Sequence, residues 1–138
     1  MRCLTMVAVE MALTLGLPAW AADKDEAVAT RNAEAWLVLV DQQKYGESWD
    51  AAAKLFRDKV ARDRWRDAVG AARGPLGKLV SRRVKSAETR TSLPGAPDGK
   101  YVIIQFDTSF EHKKSAVETI TPMQEADGSW KVSGYFIK

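Results

Sequence analysis

Asp107 and Tyr135 are the side chains in this sequence whose types best suit a reaction: a carboxylate that could take a proton and a phenol that could steady the oxyanion left behind. They can cooperate only if both point into one pocket that desolvates the carboxylate. Other routes to catalysis are narrower. Cys3 is the only thiol and His112 the only imidazole. His112 lies in the charged run Glu111-His112-Lys113-Lys114, which reads as a solvated turn, so no Ser–His or Cys–His arrangement suggests itself. Transition metals want clusters of His and Cys, and the sequence has none. Asp98-Gly99 and Asp127-Gly128 lack the spaced acids of a calcium loop, and no Gly-rich phosphate loop follows a strand. Composition therefore assigns no catalytic residue, no metal ligand and no cofactor.

Charge offers a second kind of chemistry, the attraction of an anion. Residues 22–53 carry a net charge of −4, residues 54–85 a net charge of +8 and residues 86–138 a net charge of −1. Within the basic segment, Arg62, Arg66, Arg82, Arg83 and Lys85 are the candidates for meeting an anionic partner. No aromatic residues interleave these bases as a single-stranded nucleic-acid binder requires, so nucleic acid is not expected. The ordinary alternative is a set of solvated helix and strand faces.

The elements that must position these groups are legible from periodicity. Ala29, Ala33, Trp36, Leu37 and Val40 line one face of a helix. Tyr45, Trp49, Ala52, Ala53 and Phe56 repeat the spacing, and so do Ala61, Trp65, Ala68, Val69 and Ala72 before Gly74-Pro75. These two stripes are either two helices or one kinked rod. Residues 79–91 read as a polar first strand. Val102, Ile104, Phe106, Thr108 and Phe110 then alternate with Tyr101, Ile103, Gln105, Asp107 and Ser109, and two more strands follow over residues 116–123 and 130–137. The order predicts an α+β fold, two or three N-terminal helices packed on a curved antiparallel sheet of about four strands. Val102, Ile104, Phe106, Phe110, Val117, Trp130, Val132 and Phe136 are expected to face the helices. A mixed face with Tyr101, Ile103, Gln105, Asp107, Ser109, Glu118, Ile120, Ser133, Tyr135 and Ile137 is expected outside. Gln105, Asp107 and Tyr135 are its candidate partner-binding residues, and a second copy of the chain is one occupant that would suit such a face.

The N-terminus reads as an export signal. Arg2 precedes an apolar run over residues 4–17, Pro18 breaks it, and Ala19-Trp20-Ala21 has the small-x-small pattern of a cleavage site. Glu10 interrupts the run, which is shorter than the roughly 20 residues of a membrane span. The expectation is a signal peptide over residues 1–21 and one α+β domain over residues 22–138, periplasmic or secreted. Cleavage would also remove Cys3, leaving a thiol-free domain without a membrane span.

Several segments together resemble a family of small exported bacterial proteins catalogued as the domain of unknown function numbered 4019. They are Ala35-Trp36-Leu37 with Val40-Asp41, Tyr45 to Trp49, Phe56-Arg57 with Trp65, Arg73-Gly74-Pro75-Leu76-Gly77, Ser81-Arg82, Leu93-Pro94-Gly95-Ala96-Pro97-Asp98-Gly99, Val117-Glu118-Thr119 and Gly134-Tyr135-Phe136. The resemblance covers nearly all of residues 22–138 and implies no activity, cofactor or catalytic residue. The order of elements also resembles cystatin-like and nuclear-transport-factor-two-like folds, an architectural likeness that implies no function. The reading is an exported, non-catalytic binding or interaction module. The alternative is a small pocket enzyme with ketosteroid-isomerase-like acid/base chemistry at Asp107 and Tyr135.

Overall fold

The structure, a computed structural model, describes residues 19–138. Arg2, Cys3, Glu10 and the apolar run lie outside the described residues, so the export signal is not visible in it. The expected cleavage point after Ala21 falls in the first turn of α1 (Ala19–Asp41). No described helix is long and apolar enough to cross a membrane.

The first stripe is the spine of the core: Ala29, Ala33, Trp36, Leu37 and Val40 are all buried along α1. Gln43, at φ 61°, turns the chain into α2 (Tyr45–Asp50). Ala52 and Ala53 are fully buried in the link to α3 (Lys54–Lys59), where the Ala53 amide donates to the Val132 carbonyl at 2.8 Å. Val60 and Ala61 are extended, so α3 and α4 (Arg62–Arg73) are separate helices and not a kinked rod. The third stripe is only partly inward. Trp65 and Val69 are buried, but Ala68 and Ala72 are exposed and Arg73 is buried in their stead. Gly74–Leu76 forms one tight 3-10 turn, with Pro75 fixing its start.

The sheet is an antiparallel meander in the order β1 (Leu79–Arg90), β2 (Tyr101–Phe110), β3 (Lys113–Gln124), β4 (Trp130–Ile137). Consecutive strands pair, so each connection needs only a turn or loop. At Gly77, φ is +72° and a Cβ would sit 2.8 Å from Glu111 and His112, so glycine is what lets this turn pass under the β2–β3 turn. His112 is exposed there beside Glu111.

Helices and sheet meet at an aromatic cluster. Trp36 packs against Trp65 and Tyr135 with ring centroids 5.9 and 5.4 Å apart, and Phe56 meets Trp65 edge-on at 5.0 Å. The fully buried Ser48 satisfies both inner indoles: Trp36 Nε1 donates to its carbonyl at 2.8 Å, and Trp65 Nε1 to its Oγ at 2.9 Å.

The phase of β2 is the expected one, with Val102, Ile104, Phe106 and Phe110 inward. The phases of β3 and the end of β4 are corrected. Phe106 stands opposite Glu118 and Ile104 opposite Ile120, so Glu118 and Ile120 face the helices and Val117, paired with Asp107, faces out. Apolar residues occupy both parities of β3, so hydrophobicity alone does not fix its phase. On β4, Ser133 and Gly134 together oppose the single Thr121, between the pairs Pro122–Val132 and Ile120–Tyr135. This bulge flips every later side chain. Tyr135 and Ile137 turn inward, and Phe136 is left 53% exposed on the outer face.

Candidate functional site

The bulge decides what Tyr135 does. On the helix side of the sheet its hydroxyl makes a short hydrogen bond to Glu118 Oε2. Glu118 is fully buried, and a carboxylate in that position requires partners. They come from three strands. Thr108 Oγ1 donates to Glu118 Oε1 at 2.6 Å, and Arg82 grips both oxygens, Nε to Oε1 at 2.7 Å and Nη2 to Oε2 at 3.2 Å. Arg82 also reaches Asp41 at the end of α1, with Nη1 2.8 Å and Nη2 2.9 Å from its two oxygens. Arg73 closes the chain, donating from Nη2 to Asp41 Oδ1 at 2.8 Å while its guanidinium lies 4.7 Å over the Phe110 ring. Two arginines and two carboxylates, with the hydroxyls of Thr108 and Tyr135, thus tie α1, α4 and all four strands together.

The electrostatics follow from this geometry. Burial alone would push the Asp41 carboxyl up, but the hydrogen bonds and charges of Arg82, then Arg73, outweigh it and hold the group below its ordinary value. Burial opposes the charge on Arg82 as well, yet Asp41 and Glu118 raise it further above the usual guanidinium value. Tyr135 is pushed well above an ordinary phenol, first by burial and then by the charge and hydrogen bond of Glu118. The three groups are held as carboxylate, guanidinium and neutral phenol.

Asp107 lies on the opposite side of the sheet. Its register pairs it with Arg83 and Val117, its side chain is 40% exposed, and Arg83 Nε stands 3.9 Å away. The structure therefore does not bring Asp107 and Tyr135 together, and the acid/base pairing read from the sequence is not formed. The physical reason is the bulge at Ser133-Gly134.

The remaining expected site residues scatter. Arg62 makes a two-pronged bridge to Asp50, both contacts at 3.0 Å, on the exposed surface of the helices. Arg66 lies 3.9 Å from Asp63 on α4. Lys85 is the extra residue of a bulge in β1, between the pairs Val84–Phe106 and Ser86–Gln105, and Gln105 meets Ser86 Oγ at 3.3 Å. Arg82, expected as a free cation, is consumed by the buried network. Arg82, Arg83 and Asp107 border one concavity, although the charged end of Arg82 is turned to the other side of the sheet. The concavity is an open cleft of about 610 Å³ on the outer face, where Ser81 and Arg83, Asp107 and Ser109, Lys114 and Ser115, and the terminal Lys138 come together. Lys114 and Lys138 were missed because strand pairing alone brings them there. Asp41, Arg73, Thr108 and Glu118 were missed too, although an isolated acid within the β-branched run 116–123 was a signal for a buried partner. Among the described residues no three His, Cys, Asp or Glu side chains converge as a metal site would need.

Together these features define an α+β domain whose sheet packs against helices on one side and carries an open cationic cleft on the other. The chain belongs to the family described as "Protein of unknown function (DUF4019)", whose model matches residues 32–135. No curated protein matches it.

Proposed function

We propose that this chain is an exported binding module, without chemistry of its own, that holds an anionic partner on the outer face of its sheet. One observation carries the reading: the helix side is filled by the tryptophan cluster and a charge network whose carboxylates are engaged, while the outer face opens the cleft holding Arg83, Lys114 and Lys138. Three cationic side chains against the one acidic side chain of Asp107, with serine hydroxyls between them, suit an anionic group better than an apolar one. The export half rests on Arg2, the apolar run and Ala19-Trp20-Ala21.

The test uses vesicles with and without phosphatidylglycerol. The protein is expected to be retained on the anionic ones and released as salt rises, because exposed charges are screened. Arg83→Glu with Lys114→Glu should abolish retention. Arg31→Glu with Arg64→Glu, on exposed helix positions and of equal net charge change, should not. Equal loss in both pairs would reduce the effect to overall charge and sink the cleft. Intact-mass measurement of secreted protein tests export separately; a chain that keeps Met1 refutes cleavage. Phe136, exposed on the same face on the edge strand β4, favours a second occupant, another copy of the chain. Sedimentation at high concentration, with Phe136→Ser as the control, decides that reading.

A further inference from the structure

At the far end of the same face, eight residues along β2 from Ser109, lies a second cavity of different character. It is a half-open recess of about 250 Å³ between α3 and the loop joining β1 to β2. Phe56 and Val60 form one wall, Leu93, Pro94 and Ala96 the other, and Tyr101 and Gly134 the floor. The loop lies across the sheet here, so Tyr101 is 1% exposed despite its outward register, and its hydroxyl donates to the Pro97 carbonyl at 2.5 Å. The β4 bulge leaves space above it: a Cβ added at Gly134 would meet nothing within 4 Å. Lys59 is the only charged side chain among the described residues lining the cavity, and its Nζ donates to the Gly95 carbonyl at 3.0 Å. That single bond engages one of the three donors of an ammonium, and no carboxylate among the described residues lies within ion-pair distance of it.

We infer that this cavity is a binding site for a small amphipathic carboxylate, a medium-chain acyl or arylalkyl acid, whose apolar body lies between Phe56 and Ala96 and whose carboxylate meets Lys59. The volume exceeds the roughly 150 Å³ that holds a benzene ring in an engineered apolar cavity, which leaves room for a short chain. The apolar side chains of Phe56, Val60, Leu93 and Pro94 suit an apolar body, and a single cation at the rim fixes orientation, the usual division of labour in small-molecule sites. This site is independent of the cationic cleft, and neither proposal requires the other.

The experiment is an amide-shift titration of the nitrogen-labelled full chain with sodium octanoate, octanol and octylammonium. Octanoate should produce saturable shifts at Lys59, Ala96 and Gly134. Lys59→Met keeps the stem and removes the charge, so it should weaken octanoate about three- to fivefold, the effect of one exposed ion pair, and leave octanol unchanged. Ala96→Phe should fill the cavity and abolish both, without altering the circular dichroism of the fold. Octanoate shifts confined to Arg83 and Lys114, octylammonium binding as well as octanoate, or undiminished binding to Ala96→Phe would each overturn the inference.

Discussion

Arg82 and Arg83 are consecutive residues with the same side chain and opposite fates. Arg82 points to the helices, is 11% exposed, and contacts Glu118 and Asp41 at 2.7 and 2.8 Å. Arg83 points away, is 83% exposed, and approaches Asp107 only to 3.9 Å. Strand geometry alone makes the difference, because successive side chains leave opposite faces. The two sides of one sheet thus use charge in opposite ways. On the inner side it is desolvated, ion-paired and structural, although Nε and Nη1 of Arg73 lack hydrogen-bond partners; on the outer side it is solvated, loosely paired and available. Basic residues counted along a sequence mix the two kinds.

The comparison is broken most readily at Glu118. If the inner network is structural, Glu118→Gln leaves Arg82 and Arg73 facing Asp41 alone and should cost about 3–5 kcal/mol, the usual penalty for stranding a buried charge. Urea unfolding reads it, and a loss below about 1 kcal/mol would show the network to be slack. Replacing Glu118 together with all its partners, Glu118→Leu with Arg82→Met, Thr108→Val and Tyr135→Phe, should recover much of that loss, since a buried pair is worth little over apolar groups of similar size when no donor is left stranded.

A smaller effect belongs to Tyr135. Tyr135→Phe removes one donor from Glu118 Oε2 and keeps the ring against Trp36, so about 1–2 kcal/mol should be lost. Because the folded state holds this phenol above its ordinary value, its contribution is complete below about pH 10 and fades as pH rises beyond that. Wild type should lose its advantage over Tyr135→Phe in strong alkali. Asp41 gives the opposite limb. Its carboxyl is held low, so its contribution is present above about pH 4 and lost as pH falls through the folded value. The gap in urea midpoint between wild type and Asp41→Asn should therefore narrow on acidification, and a constant gap would detach Asp41 from the network.

Much of this contrast was legible beforehand, and the exceptions share a cause. The stripe from Ala29 to Val40 and the alternation from Val102 to Phe110 set one helix and one strand correctly, because one face of each is mainly apolar and the other is mixed. The pattern failed where burial is polar or the period slips. Arg73 is buried where Ala72 was expected because Asp41 and the Phe110 ring receive it. Tyr135 and Phe136 exchanged faces because Ser133-Gly134 inserts one residue, a shift with no hydrophobic signature of its own. Of the expected binding residues, Arg83 and Asp107 meet in the outer cleft, but Lys114 and Lys138 join them only through register, which periodicity does not supply.

The smallest effect on stability should come from the outer face, and that is what makes it diagnostic. Arg83 is exposed, and its one acidic neighbour is too distant for a strong bond. Arg83→Glu with Lys114→Glu should therefore shift unfolding by no more than about 0.5 kcal/mol, while removing retention on anionic vesicles. A large stability loss would mean that the outer charges are structural like the inner ones, and the division between the two sides of the sheet would fail. Retained stability with lost binding would locate the working surface on the side of the sheet where charge is left to solvent.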